Sequence, residues 1–358
     1  MPGYIGLPNY AHGSPERIGV LLVNLGTPDN LHPPAVRRFL AEFLWDPRVI
    51  ETPRWLWWLI LHVVILRIRP ARSSHAYRQI WTEAGSPLMR HSRELAQRLQ
   101  ESLDSTLKVE LGMTYGSPSI PAALRTLRDA GVRKLLVLPL YPQYSGTTTA
   151  SVFDRVTGEL RRWRWLPEVR FINEYHDDPA YIAAIAASIT AHWQLHDRRH
   201  LLFSFHSTPK SYLLAGDPYH CQCRKTARLV TEKLELAPSD WSLSFQSRVG
   251  REEWLRPYTD ELLVDYARGK QLHLDVVCPG FAADNLETLE EIEIRNRELF
   301  LGKGGKTYHY IPALNSSAGH IDLLAGLVRR HIQGWQDETG TGADAASRER
   351  ALRAGAAR

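Results

Sequence analysis

The chain has 358 residues, 44% of them hydrophobic and 23% charged, a length beyond what one core ordinarily serves and a composition that excludes disordered, collagen-like and coiled-coil proteins. Lys and Arg number 44 against 39 Asp and Glu, a net charge of +5 and too small a surplus for a dedicated nucleic-acid binder. The three cysteines, Cys221, Cys223 and Cys278, are too few for a disulfide framework and fit a reducing cytosol.

Residues 1–16 read as an N-terminal extension, and the stretch to Ser14 has neither a basic n-region nor an apolar h-region, so no signal peptide is expected. The first strand falls at 19–26, where VLLVNLG follows Gly19. Residues 55–66, WLWWLILHVVIL, are apolar except for His62, with Arg54 before them and Arg67, Arg69 and Arg72 after. As a helix this stretch spans roughly 18 Å, short of the ~20 residues that cross a bilayer. A short apolar run ordinarily means a buried core helix. Three Trp in four positions beside clustered Arg suit instead an exposed lip that dips into lipid headgroups or grips a flat apolar ligand, and this second reading is favoured.

Further strands are expected at 109–116, 133–141 and 168–175. After a break at 176–182 and a helix at 183–196, the scheme repeats at 200–206, 241–248, 272–280 and 306–314. Near-continuous apolar strands alternating with helical patterns predict parallel sheets covered on both faces. The fold class is therefore α/β, with two similar doubly wound domains at 17–178 and 179–335. The tail, 336–358, is small, polar and Arg-rich, and is expected to stay disordered.

In such folds ligands bind beyond the carboxyl ends of the strands. His206 closes the strand LLFSF and so stands at that edge. The loop 141–149, YPQYSGTTT, follows a strand and either lines a pocket or caps the next helix. Asp284 and Glu287 have the spacing of a capping box. Against a purely structural reading, Glu287 and Glu291 lie four apart on one helix face and repel, which a cation or travelling protons would offset. His206 with Glu287 forms a mixed nitrogen and oxygen set suited to Fe(II), Co(II), Ni or Zn; two ligands hold a metal poorly, as a metal that must be released requires. Histidine, titrating near ~6.5 when unperturbed, also suits proton uptake. Residues 24–28, NLGTP, match neither GxGxxG nor GxxxxGK[ST], so no nucleotide is expected.

Together YPQYSGTTT, the FHSTPKSY beginning at Phe205, the FQSRVGREEWLRPYT beginning at Phe245 and the CPGFAADNLETLEEI beginning at Cys278 resemble the ferrochelatase family, in order over residues 17–334. The resemblance implies two Rossmann-like domains, each a four-stranded parallel sheet flanked by helices, with an active-site cleft between them. It implies insertion of Fe(II), as substrate, into protoporphyrin IX to give protoheme, the last step of heme biosynthesis. By the same resemblance His206, Glu287 and Glu291 are catalytic and His206 with Glu287 receives the metal. Arg69, Tyr77 and Ser86 would touch the porphyrin, though two extra residues separate Tyr77 from Ser86 here, and Tyr144 and Trp254 would help clamp it. The lip 55–66 would border the porphyrin and touch the membrane. The expected location is cytoplasmic, peripheral to the inner face of the cell membrane, with a porphyrinogen oxidase upstream. A [2Fe–2S] cluster, found in some members, needs four ligands and is not expected from three Cys. Asn285 stands where some relatives have His. Rival readings are a cobalt chelatase for a more polar tetrapyrrole, which the apolar lip opposes, a non-catalytic tetrapyrrole-binding protein, and a two-domain glycosyltransferase, for which no nucleotide-sugar site is found.

Overall fold

The computed structural model describes residues 3–7, 11–250, 252–269, 271–335 and 345–356. Each expected strand is present: β1 (Arg17–Asn24), β2 (Leu107–Met113), β3 (Val132–Pro139), β4 (Glu168–Phe171), β5 (His200–His206), β6 (Trp241–Gln246), β7 (His273–Val277) and β8 (Thr307–Ile311). Most end two to four residues before the apolar run does. Leu140, Ile172, Tyr175 and Leu314 lie past the strand ends yet are buried in the central core, so the run of apolar residues marks burial, and ladder pairing stops earlier.

The strands form two sheets, ordered β2-β1-β3-β4 and β6-β5-β7-β8, with every pair parallel. The second sheet thus repeats the topology of the first. In each, the first strand is central and the chain winds outward on either side of it, so the switch points lie between the carboxyl ends of β1 and β3 and of β5 and β7.

Alternation along the central strands divides the core. Ile18, Val20 and Leu22 face one cluster and Leu21 and Val23 another, as the two-residue period of a strand requires. The first of these clusters continues through the helices Pro87–Ser102, Pro179–Leu195, Tyr219–Lys233 and Ala318–His331 to Leu201, Phe203 and Phe205 of β5. The two halves therefore share one apolar core. The chain also returns to the first half after Ala318–His331: Arg170 of β4 donates to His331 O (2.7 Å) and Gln333 O (2.9 Å) and lies over the Trp335 ring, whose Nε1 donates to Glu168. Within the tail expected to be disordered, Ala345–Arg353 forms a helix. Its alanines and arginines are strong helix formers even without an apolar face; residues 336–344 and 357–358 lie outside the described residues.

The lip is the first half of a run of helix made of Arg54–Leu59, a π-helical stretch Ile60–Ile65, and Leu66–Ile80. The buried-helix and exposed-lip readings each hold for part of it. Trp57 is 8% exposed and donates Nε1–H to Leu44 O (2.7 Å), and Leu61 is fully buried. Trp55 is 72% and Trp58 49% exposed, and Leu59, Val63 and Val64 also face outward. Among the described residues no helix is long and apolar enough to cross a membrane.

Candidate active site

His206 is the last residue of β5, and residues 278–287 lead out of β7 into the π-helix Glu287–Asn296. The two segments flank the β5/β7 switch point. His206 Nδ1 lies 2.6 Å from Ser207 O. A carbonyl only accepts, so Nδ1 carries the hydrogen and, in the neutral ring, Nε2 presents a lone pair. The turn beyond is fixed: Ser207 N donates to Gln246 O (2.7 Å) and Ser207 Oγ to Leu255 O (3.2 Å). Pro209 bridges to Trp254, which places Trp254 on the strap that runs beside the His206 turn.

The expected capping box does not involve Glu287. Asn285 Oδ1 accepts from Thr288 N (3.0 Å) while Thr288 Oγ1 accepts from Asn285 N (3.0 Å), so the reciprocal cap is one residue further on. Asp284 instead accepts from Tyr310 Oη (2.6 Å), Asn315 Nδ2 (2.7 Å) and Thr288 Oγ1 (3.0 Å), tying the loop to the segment around and beyond β8. Glu287 is thereby free of any capping duty. Burial pushes its pKa up from the ordinary carboxylate range, the His206 imidazole draws it back down, and the charges of Glu291 and Glu290 add to the rise.

The acidic helix is π-wound rather than α-helical, as the Glu290–Arg295 pair at i,i+5 (3.0 Å) reflects. Such insertions concentrate at functional sites. The repulsion between Glu287 and Glu291 is met at Glu291, which accepts from Ser247 N (3.0 Å) and from Ser247 Oγ. Ser247 reaches it with φ +68°, in the left-handed region, at a cost of ~1–3 kcal/mol for a residue with a side chain.

Gln246 was not singled out from the sequence, although it lies within the FQSR run. It is buried, accepts from Ser204 Oγ (2.6 Å) and donates to Glu287 O (3.0 Å). One amide thus links β5, β6 and the start of the acidic helix. A polar residue interrupting an apolar strand end beside His206 was its only local signal.

The first half closes over this edge. Helix Leu66–Ile80 packs on the helix Glu287–Asn296, and buried Tyr77 has its hydroxyl pKa raised by burial and then by the Glu287 charge. In the first switch point the chain turns at Gly26, φ +110°, where an added Cβ would fall 1.8 Å from Tyr115 O; only glycine fits. The 141–149 loop ties the halves together: Gln143 Nε2 donates to Thr226 Oγ1 (3.1 Å), Tyr144 N to Gln222 Oε1 (2.6 Å), and Gly146 N to Asp217 Oδ2 (2.7 Å). At the N-cap Thr148 makes no side-chain capping bond.

The sequence model of the ferrochelatase family matches residues 17–332. The chain belongs to the ferrochelatase family. A ferrochelatase from Thioalkalivibrio sulfidiphilus is 55% identical to it, over 99% of this chain and 97% of that one. One from Nitrosococcus oceani is also 55% identical, over 98% of each. Among solved structures, the sirohydrochlorin chelatase SirB from Bacillus subtilis subspecies spizizenii in complex with cobalt superposes with a TM-score of 0.54 at 11% identity, covering 92% of this chain and 100% of that one, a likeness of fold.

Of the porphyrin-contact residues expected from the ferrochelatase resemblance, Tyr77 is buried on the helix that packs against Glu287–Asn296. Arg69 lies eight residues before Tyr77 on the same helix and is exposed, its guanidinium pKa lowered by partial desolvation and then by Arg72. Ser86 is buried at the N-cap of Pro87–Ser102, and Tyr144 and Trp254 are half-buried. Asn285 serves as the helix cap.

Proposed function

We propose that the cleft performs the ferrochelatase reaction with His206 and Glu287 as its two proton acceptors. Fe(II) enters protoporphyrin IX as substrate, two pyrrole protons leave, and protoheme is the product. A flat macrocycle offers an incoming metal no approach to its nitrogen lone pairs. Bending exposes them, and binding energy from the walls, Arg69, Tyr77, Ser86, Tyr144 and Trp254, drives the bend. His206 Nε2 takes the first proton. Glu287, whose proton affinity burial has raised, takes the second or assists the metal, and Glu291 passes protons outward along the π-helix. The observation that carries this reading is the His206 lone pair at the switch point, near enough to Glu287 for the imidazole to draw down the pKa that burial raises there.

The test is an anaerobic absorbance assay of the purified chain with protoporphyrin IX and Fe(II). Protoheme bands that grow in proportion to enzyme support it; porphyrin that binds without taking up metal would leave a carrier. No iron–sulfur cluster is proposed, since three thiols fall short of four ligands and two of them, Cys223 and Cys278, are buried.

The lip is proposed to rest on the inner face of the membrane, with the chain otherwise cytoplasmic and the apolar porphyrin arriving from a porphyrinogen oxidase upstream. Exposed Trp55 and Trp58, followed further along the same helical run by exposed Arg67, Arg69 and Arg72, support this. Replacing Trp55 and Trp58 by Ser is expected to reduce co-sedimentation with anionic liposomes severalfold while leaving the melting temperature unchanged. Trp57→Ser is expected to do the reverse, costing about 3 kcal/mol or more of stability; equal liposome binding by wild type and the Trp55/Trp58 variant removes the proposal.

A further inference from the structure

A second cluster of ligand-type side chains lies away from the cleft. Asp275, mid-strand in β7 and 0% exposed, pairs in register with His309 of β8, so both side chains emerge on the face covered by the helix Pro179–Leu195, which contributes His192. Leu201 of β5 pairs with Asp275, and His206 lies five residues further along, about 16 Å at ~3.3 Å per residue.

Asp275 Oδ1 is 3.3 Å from His192 Nε2 and 3.3 Å from His309 Nδ1. Trp193 Nε1 donates to the other carboxylate oxygen (2.8 Å) and fixes its orientation. The His196 ring lies 4.5 Å from the rings of both His192 and His309. Arg199 Nη1 is 3.0 Å from His309 Nδ1. A guanidinium can only donate, so His309 Nδ1 must hold a lone pair. That lone pair and a carboxylate oxygen therefore stand 3.3 Å apart, an arrangement that needs a cation at its flank. Arg199 supplies one, 3.9 Å from Asp275 Oδ1. Its hold is shared with Asp197, whose exposed carboxylate is 3.7 Å from Nη2, so the guanidinium has a solvent-side partner to move to.

We propose that His192, Asp275 and His309 form a binding site for a divalent transition-metal ion, separate from the catalytic cleft, with the Arg199 guanidinium as the competing occupant. The two 3.3 Å separations match the edge of a tetrahedron drawn with metal–ligand bonds of about 2.0–2.1 Å, and the three donor atoms all lie within 4.8 Å of one another. Two imidazoles and one carboxylate suit Zn(II), Co(II) or Fe(II). On binding, the His192 hydrogen moves from Nε2 to Nδ1, and His196 or water fills the fourth position. The Trp193 indole, bonded to the second oxygen of Asp275, is the outer partner that such ligands ordinarily require.

The test uses Co(II) with the metal-stripped His206→Ala/Glu287→Gln protein, so that the cleft ligands are gone and the result is independent of the insertion assay. One equivalent of Co(II) with tetrahedral visible bands is expected. His309→Ala in that background should weaken binding at least about tenfold, and Arg199→Ala should tighten it, a gain that loss of folding cannot mimic. In the otherwise unchanged chain, His309→Ala should leave iron insertion intact. A background protein that binds no Co(II), or an affinity indifferent to both His309→Ala and Arg199→Ala, overturns the site.

Discussion

His206→Ala is expected to lower the rate of Fe(II) insertion by about two to four orders of magnitude, the usual worth of a positioned general base. The expectation rests on what the substitution removes. The Nε2 lone pair is lost, while the turn that carries it keeps the Ser207 bonds to Gln246 O and Leu255 O, so the strap to Trp254 and the walls of the cleft persist. Porphyrin affinity should therefore change little, and the loss should fall on kcat rather than KM, as for an interaction made only when the proton is moving. Initial rates from the anaerobic absorbance assay, beside circular dichroism to verify folding, are the measurement. A variant within a few-fold of wild type would remove His206 from the chemistry and leave its position at the switch point without a catalytic role.

Glu287→Gln carries a second expectation with two opposite signs. Insertion should fall by about two orders of magnitude or more, because the amide keeps the shape and loses the proton acceptor. Stability should rise. The folded carboxyl has its pKa raised by burial, so the native state holds its proton more tightly than the unfolded chain does. Below the ordinary value near 4.5 the group is neutral in both states and costs nothing. As pH climbs from there towards the raised native value, the unfolded chain ionises freely while the desolvated native carboxyl holds its proton, and stability declines. Gln never ionises. The gain in melting temperature of Glu287→Gln should be present at pH 7.5 and vanish near pH 4, with Ser247 still holding Glu291. A variant less stable than wild type at pH 7.5 would mean that the His206 attraction outweighs desolvation, and the carboxylate would then be a paired anion rather than a proton acceptor. The trade between stability and function is the ordinary one for an active-site charge.

Much of this site was legible in one dimension. The places of His206 and Glu287 beside the second switch point were legible because both follow apolar strands, and strand ends define the ligand edge of a parallel sheet. The partners that hold them were not, because Gln246 and Ser247 act across strands: Gln246 by pairing beside His206, Ser247 by a left-handed turn that no propensity favours for serine. The cap was misplaced by one residue for a related reason. Asp284 and Asn285 are equally good N-cap residues by type, and only the pull of Tyr310 and Asn315 on Asp284 leaves the cap to Asn285.

The amino-acid sequence by itself determined the α/β class, the eight strands with their four-and-four division, and membership of the ferrochelatase family, since apolar period and contiguous motifs are local properties that survive without coordinates. The tertiary structure alone decided the rest. It joined the two halves through one core, because the inward faces of β1 and β5 bury into one cluster that continues through the helices packed between them. It buried Trp57 and exposed Trp55 and Trp58, because helical rotation, not composition, selects which indole meets Leu44. It also gathered His192, Asp275 and His309, 117 positions apart from first to last (309 − 192), around one carboxylate oxygen, because sheet register places residues together that chain order keeps distant.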